Sequence, residues 1–136
     1  MTRQVELTVQ EFFAAEGSKW ERLLAQQIED AGLPAPERQY HIYMPGASHP
    51  CRADFCWPSG RLIVEVQGGQ WVRGRHTRGG KSYETECRKV AWYGVLGFVV
   101  LPVTPGMIED GYAINCIRKR LEEQPRKMAV RGKAQR

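Results

Sequence analysis

The chain lacks the cysteine pattern of a structural metal site. Its 136 residues include four cysteines, and no two of them form a CxxC pair. Cys51 and Cys56 are predicted to face opposite sides of one strand, whereas Cys87 and Cys116 fall in predicted helices. A zinc site is therefore not expected. Reduced thiols in a cytoplasmic protein are the default expectation for such a pattern.

Long apolar runs are also missing. The longest, VLGFVVLPV at residues 95–103, is far shorter than the roughly 20 residues that a membrane-spanning helix needs. No secretory signal peptide is visible, so we expect no membrane partner. The length predicts a single domain, which we place at residues 1–125, followed by a basic, flexible tail at residues 126–136.

Positive charge is concentrated in two places. Residues 118–136 carry eight Lys/Arg against two Glu, a net charge of +6, so the rest of the chain sums to −1. A second basic cluster lies in a Gly- and Arg-rich loop at residues 67–81 and consists of Arg73, Arg75, Arg78 and Lys81. Such clusters suit a polyanion such as nucleic acid. For the tail, a solubilising end is an equally good interpretation.

Hydrophobic periodicity and turn residues predict an α-β-β-β-α-β-α order. Helices are expected at 18–31, 82–93 and 107–121, and strands at 40–43, 51–57, 61–66 and 98–101. Ser18 and Glu21 form an S-x-x-E capping box at the start of the first helix. The second helix is expected to bury Tyr83, Cys87, Val90 and Ala91. A meander followed by a helical crossover predicts an α/β fold, with a mixed sheet flanked by helices.

The segment CRADFCWPSGRLIVEVQ, residues 51–67, is the most informative. It predicts a hairpin with Ser59-Gly60 as a two-residue turn. One face then carries only apolar side chains, namely Ala53, Phe55, Trp57, Leu62, Val64 and Val66. The other face carries Arg52, Asp54, Cys56, Ile63, Glu65 and Gln67. A slip of one residue would mix the two sets, so the pattern itself sets Asp54 opposite Glu65.

Two facing carboxylates repel each other unless a proton or a cation lies between them. A divalent cation with oxygen ligands, Mg²⁺ above all and Mn²⁺ as a substitute, suits the pair. The alternative is an ordinary hairpin with one polar, solvated face. Glu65 ends a strongly apolar strand and precedes Gly68-Gly69, and sites are often built at such a junction.

The order of elements, together with D…E-x-Q on the second and third strands, resembles the PD-(D/E)XK, or restriction-endonuclease-like, nuclease superfamily. Within it, the tract EVQGGQW-x-RGRHTRG, the following E-C-R-K helix and a Gly-flanked apolar strand are similar to very-short-patch-repair endonucleases and small phage-encoded relatives. The matching stretch, residues 53–111, spans roughly half of the chain. The resemblance implies a restriction-endonuclease-like αβββαβα core and a cytoplasmic enzyme of bacteria or phage-infected cells.

The resemblance also implies roles for individual residues. Asp54 and Glu65 would bind Mg²⁺, with the backbone carbonyl of Val66 as a third ligand. Gln67 stands where the superfamily usually has a catalytic lysine. Glutamine can hydrogen-bond a water molecule but adds no charge. Lys89 or Lys81 is a candidate for a substitute cation.

Other candidates have a structural alternative of similar weight. Glu21 matches an acidic residue on the first helix of the superfamily, but the capping box also explains it. Glu86 and Lys89 are three apart, as in a surface ion pair. His76 is a candidate catalytic residue or a solvated loop histidine. Trp71 could stack on a base or close the core.

Three functions remain open from sequence. The first is a metal-dependent DNA endonuclease in which Arg73, Arg75, Arg78, Lys81 and Lys89 contact DNA. The second is a DNA-binding module that has kept the fold without turnover, since the lysine is missing. The third is a resolvase for branched DNA such as Holliday junctions, which needs a two-fold dimer. The protein is expected to be a monomer or a homodimer.

Overall fold

A computed structural model describes the backbone of residues 9–67 and 80–134 and the side chains of residues 19–67 and 83–123. Four helices and four strands follow one another in this part of the chain. They are α1 (Val9–Asp30), β1 (Glu37–Ile42), β2 (Cys51–Trp57), β3 (Leu62–Val66), α2 (Gly80–Val95), β4 (Val99–Val103), α3 (Pro105–Glu109) and α4 (Tyr112–Ala134). No helix in these ranges is long and apolar enough to span a membrane.

The strands form one mixed sheet in the order β1-β2-β3-β4. β1 pairs antiparallel with β2, and β2 with β3. β4 pairs parallel with β3, after α2 has crossed over. Parallel neighbours need such a crossover, since a tight turn joins only antiparallel strands. The predicted α/β class with a mixed sheet flanked by helices is confirmed.

One face of the sheet carries the larger apolar core. Phe55, Trp57, Leu62 and Val64 are buried there against the helices α1, α3 and α4. Those helices contribute Leu24, Ile28, Ile108, Ala113 and Ile117. Trp57 also donates a hydrogen bond from Nε1 to the carbonyl oxygen of Pro34, at 2.8 Å. This bond satisfies the polar atom of a buried indole.

The opposite face of the hairpin is not solvated. Cys56 and Ile63 are fully buried there with Tyr93 of α2, in a second core cluster that also contains Ile42 and Ala53. The expectation that Ala53 belongs with the first face is therefore wrong. The polar face is polar only at its end, where Asp54 and Glu65 lie, because α2 covers the rest.

The loop of the hairpin contains four residues instead of the predicted two. Trp57 pairs with Leu62, which leaves residues 58–61 between the strands. The backbone N–H of Arg61 donates to the carbonyl oxygen of Pro58 at 3.2 Å, so Ser59 and Gly60 are the central turn residues. Arg61 has a positive φ of 52°, a conformation that hairpin turns of this kind use after their central residues.

The first helix corrects the capping-box prediction. α1 runs without interruption from Val9 to Asp30, so Ser18 lies inside a helix and does not cap one. Ser and Gly in a helix interior cost only up to about 1 kcal/mol relative to Ala. The flanking EFFAAE and KWERLLAQQ segments are good enough helix formers to outweigh that cost. Glu21 is consequently left without the capping role.

The predicted buried stripe of α2 is also wrong. Tyr83 and Val90 are 56% and 39% exposed, and Cys87 and Ala91 are exposed as well. The inward face instead carries Glu86, Lys89, Trp92 and Tyr93. A search for apolar residues at helical spacing selects the wrong face here, because the inward face is partly polar.

The C-terminal helix is both divided and longer than expected. Thr104 caps α3, accepting a hydrogen bond from the N–H of Met107 at 3.2 Å. Gly111, with a φ of 87°, separates α3 from α4. The helix α4 continues to Ala134, past the expected end at Leu121 and through Pro125. The Leu, Glu, Gln, Arg and Lys residues around Pro125 favour helix and outweigh the hydrogen bond that proline removes.

Candidate functional site

The register of the hairpin brings two acidic residues together. Backbone pairing between β2 and β3 covers Phe55–Val64, Cys56–Ile63 and Trp57–Leu62. The next positions in the same register are Asp54 and Glu65, where the backbone ladder ends. The site therefore lies where the two strands begin to separate.

Each of these carboxylates accepts a hydrogen bond from the other strand. The N–H of Val66 donates to Asp54 Oδ2 at 2.8 Å. The N–H of Asp54 donates to Glu65 Oε2 at 3.3 Å. Hydrogen bonds from backbone N–H groups to the two carboxylates thus follow directly after the last backbone pair of β2 and β3. This exchange fixes the direction in which both carboxylates point.

Glu65 is the buried acid of the site, with 5% of its surface exposed. Burial raises the pKa of Glu65 from 4.5 to about 7, and the nearby charge of Asp54 adds to this, although Lys89 opposes it. A carboxylate taken out of water favours its neutral form unless a cation compensates the charge. Glu65 therefore gains protons or cations readily.

Lys89 supplies one such compensating charge. Its Nζ lies 3.2 Å from Glu65 Oε1 and 3.1 Å from Glu86 Oε1, with 17% of the side chain exposed. Burial lowers the pKa of Lys89, but the charges of Glu65 and Glu86 outweigh this and raise the pKa overall. The ammonium group is thus charged and shared between two carboxylates. The interpretation of Glu86 and Lys89 as a plain surface pair is incomplete, because Lys89 reaches into the site.

Glu21 joins the group from α1. Gln39 donates a hydrogen bond from Nε2 to Glu21 Oε1 at 3.0 Å. Burial, followed by the charge of Asp54 and a hydrogen bond with it, raises the pKa of Glu21 to about 7, against weaker opposing effects of Arg38 and Gln39. Glu21, Asp54 and Glu65 therefore form a chain of interacting acids.

Gln67 directly follows β3 and is half-buried. Its backbone N–H donates to the carbonyl oxygen of Val103 at 2.7 Å, which extends the alignment of β3 and β4 by one residue. Val66, whose carbonyl is the predicted third ligand, pairs with Val103 as well. The backbone on the β4 side of the site is therefore held firmly.

Several predicted residues lie outside the described part of the chain. They are the loop residues Trp71, Arg73, Arg75, His76 and Arg78. Lys81 belongs to the first turn of α2, but its side chain is not described. The contacts predicted for them stay predictions.

The oxygen donors of the site are few. Among the described residues, no group of three or more His, Cys, Asp or Glu side chains is arranged to hold a metal ion. Asp54 and Glu65 offer two carboxylates. Glu65 Oε1 is buried and, within the described ranges, no donor meets hydrogen-bond geometry with it, so its pairing with Lys89 is ionic. A metal ion bound at this oxygen would take the place of the Lys89 ammonium.

Two residues of the site were not found from sequence. Gln39 has a positive φ of 51° in the middle of β1, and nothing in the sequence marks that distortion. Tyr93 is fully buried, and burial, the charges of Glu65, Cys51 and Glu86 and a contact with the Glu65 carboxylate raise the pKa of its hydroxyl. Its spacing of four from Lys89 and seven from Glu86 could have placed it on their face of α2.

No known family model, curated protein or solved structure matches the chain.

Proposed function

We propose that this protein is a Mg²⁺-dependent DNA endonuclease that hydrolyses phosphodiester bonds. The observation that carries the proposal is the pair Asp54 and Glu65, held by reciprocal hydrogen bonds of 2.8 and 3.3 Å at the point where β2 and β3 separate. Two oriented, partly desolvated carboxylates are a common way to hold a catalytic divalent cation. The resemblance to PD-(D/E)XK nucleases agrees with the same pair.

The donor set fits a hard cation. Asp54, Glu65 and the backbone carbonyl of Val66 would hold the ion, which would act as a Lewis acid on the phosphate and lower the pKa of a water molecule. The fit rests on the fixed direction of the two carboxylates and on the pKa of Glu65, which burial raises even though Lys89 lies 3.2 Å from Oε1, so the charge of Glu65 is not fully compensated by the lysine. Mn²⁺ prefers similar ligands and is expected to substitute.

The remaining residues would supply positive charge, orient water, transfer a proton and bind the phosphates that flank the cleaved bond. Lys89 brings a positive charge to within 3.2 Å of Glu65, which can replace the charge that Gln67 lacks. Gln67 would orient the attacking water through its amide. Glu21 is poised near pH 7 to hold or release a proton beside Asp54. The arginines at 73, 75 and 78 would hold flanking phosphates.

A second candidate is a DNA-binding module without turnover. One observation favours it: Lys89 already compensates the charge of Glu65 at 3.2 Å, so the carboxylate does not need a metal ion for its stability. A resolvase would use the same chemistry on a branched substrate and would need a homodimer.

One experiment separates these functions. Purified protein is incubated with supercoiled plasmid, flaps and four-way junctions in Mg²⁺, Mn²⁺ or EDTA, and its mass in solution is measured by light scattering. The nuclease proposal expects nicked or linear plasmid with Mg²⁺ and none with EDTA. Binding without any cleavage supports the module. Paired cuts on junctions by a dimer support the resolvase.

A further inference from the structure

Tyr93 is a buried residue of α2 that packs on the face of the hairpin that also carries Glu65. Its ring packs with Cys56 and Ile63 in the second core cluster, and the whole residue is fully buried. The Lys89 ammonium lies 5.9 Å from the centre of the ring. Tyr93 therefore occupies the same inward face of α2 as the lysine that reaches Glu65.

The hydroxyl of Tyr93 is an unused donor at this position. Among the described side chains, neither this hydroxyl nor Glu65 Oε1 has a partner that meets hydrogen-bond geometry, and both atoms are buried. One atom is a donor and the other an acceptor, and the Lys89 ammonium lies near both side chains, 3.2 Å from Glu65 Oε1 and 5.9 Å from the centre of the Tyr93 ring. Lys89 compensates the charge of Glu65, but it leaves the buried Tyr93 hydroxyl without an acceptor. An unpaired hydroxyl in the interior is unfavourable, and the Glu65 carboxylate is the acidic acceptor on its side of α2.

We propose that Tyr93 is a positioning residue whose hydroxyl orients the Glu65 carboxylate for metal binding. The inference rests on the proposed function and deepens it. Lys89 is shared between Glu65 and Glu86 at 3.2 and 3.1 Å, so it can stay with Glu86 when a metal ion takes its place at Glu65. The carboxylate then depends on Tyr93 for a fixed orientation, as metal-binding side chains depend on the hydrogen bonds behind them.

The alternative is a tyrosine whose ring contributes packing only, with an idle hydroxyl in the core. The two interpretations differ in one substitution. Tyr93→Phe keeps the ring and its packing and removes a single oxygen. If the hydroxyl is idle, its loss leaves metal binding unchanged, because removing a buried unpaired group costs nothing.

The test is Mn²⁺ binding to the full chain, measured by electron paramagnetic resonance and calorimetry without DNA. Tyr93→Phe should weaken Mn²⁺ binding by about 10- to 100-fold, the usual effect of removing such a supporting group, with an unchanged melting temperature. In plasmid cleavage, the Mg²⁺ concentration for half-maximal rate should rise while the rate at saturating Mg²⁺ changes little. Tyr112→Phe, the same change at a tyrosine that is 58% exposed on α4, is the control and should match the wild type.

Two negative outcomes are distinguishable. Wild-type Mn²⁺ affinity in Tyr93→Phe, combined with loss of binding in Glu65→Gln, overturns the role of Tyr93 and leaves the metal site standing. Absence of Mn²⁺ binding in the wild-type protein overturns the proposed metal site, and the inference about Tyr93 with it.

Discussion

Asp54 and Glu65 each hold the strand of the other: the N–H of Val66 donates to Asp54, and the N–H of Asp54 donates to Glu65. The acidic pair is thus part of the sheet's hydrogen bonding as well as the candidate site. Truncating either residue to alanine removes an acceptor and leaves a partly buried N–H unpaired. That costs about 1–3 kcal/mol of stability, so amide substitutions test chemistry more cleanly than alanine does.

Asp54→Asn and Glu65→Gln should each abolish DNA cleavage while the fold and DNA affinity are kept. An amide oxygen can still accept the backbone N–H, but it carries no charge to hold Mg²⁺. We expect a rate loss of more than about 100-fold in a plasmid-nicking assay, since a charge interaction in the transition state is lost. Asp54→Ala and Glu65→Ala should be equally inactive, with a lower melting temperature.

Asp30→Asn is the matched control for these substitutions. Asp30 is exposed at the end of α1 and accepts a hydrogen bond from Gln26, so its change should leave the rate untouched. If Asp54→Asn or Glu65→Gln cleaved DNA at nearly the wild-type rate, the cleavage would have to take place at another site.

The stability of the metal-free protein should depend on pH through Glu65 and Glu21. Both have a pKa raised from 4.5 to about 7 in the folded state, so the folded state keeps protons that the unfolded chain has released. Stability therefore falls as pH rises from about 4.5 to about 7. Because the acids interact through Asp54, the loss is a property of the group. Urea unfolding in EDTA across this range measures it.

Glu65→Gln and Glu21→Gln isolate that effect from the other acids of the chain. Each variant should gain stability relative to the wild type as pH rises through this window, since it has no charge to desolvate. Addition of Mg²⁺ should recover stability in the wild type at pH 8 by binding the ionised carboxylates. A difference between wild type and variant that stays constant from pH 4 to pH 8 would contradict the assigned cause.

The register of the hairpin could be predicted from the sequence because it depends only on which positions of the two strands are apolar and which are polar. The apolar face of β2 and β3 allows one alignment, and the structure has that alignment. Strand bounds of 51–57 and the order of the helices and strands followed from the same periodicity and from turn residues. What the pattern could not give is the reciprocal hydrogen bonding of Asp54 and Glu65, which depends on the separation of the strands beyond Phe55.

The two errors have different physical origins. At Ser18, the helix propensity of the flanking segments outweighs the capping signal, and α1 continues through it. In α2, tertiary packing overrides the apolar pattern, because Lys89 and Tyr93 face inward instead of Tyr83 and Val90. The partly buried ammonium of Lys89 is compensated by Glu65 of β3 and Glu86 of α2. The sequence pattern of α2 alone does not show that a carboxylate from the sheet will lie beside it.

The loop arginines make a prediction that is independent of the acidic pair. Arg75→Ala with Arg78→Ala should weaken DNA binding nearly equally for all sequences, because phosphate contacts carry no sequence information. The slope of log affinity against log salt should fall by about two units, one for each contact. Mn²⁺ affinity should not change. Arg61→Gln, at an exposed arginine in the hairpin turn, is the control. A slope in the double variant equal to that of the wild type would mean that Arg75 and Arg78 do not contact phosphate.

Gln67 and Lys89 together should replace the lysine that PD-(D/E)XK nucleases usually have after the second acid. Gln67→Ala should lower the cleavage rate by about 10- to 1000-fold with little change in DNA affinity, because the lost hydrogen bond matters mainly in the transition state. Lys89→Met should do the same by removing the charge that lies 3.2 Å from Glu65. The exposed Lys19 of α1 provides the control, Lys19→Met, which should cleave like the wild type.

The double variant Gln67→Lys/Lys89→Met decides whether the two residues share one role. A lysine at position 67 lies one residue beyond Val66 on the same strand face as Glu65, so its ammonium can supply both the hydrogen bond and the charge. We expect it to restore cleavage above the level of Lys89→Met alone, measured as single-turnover rates at saturating Mg²⁺. Failure of this rescue, with normal folding and DNA binding, would mean that Lys89 only compensates the charge of Glu65 and does not share a catalytic role with position 67. Wild-type rates in Gln67→Ala would likewise remove Gln67 from the site and leave Lys89 as the cation that acts there.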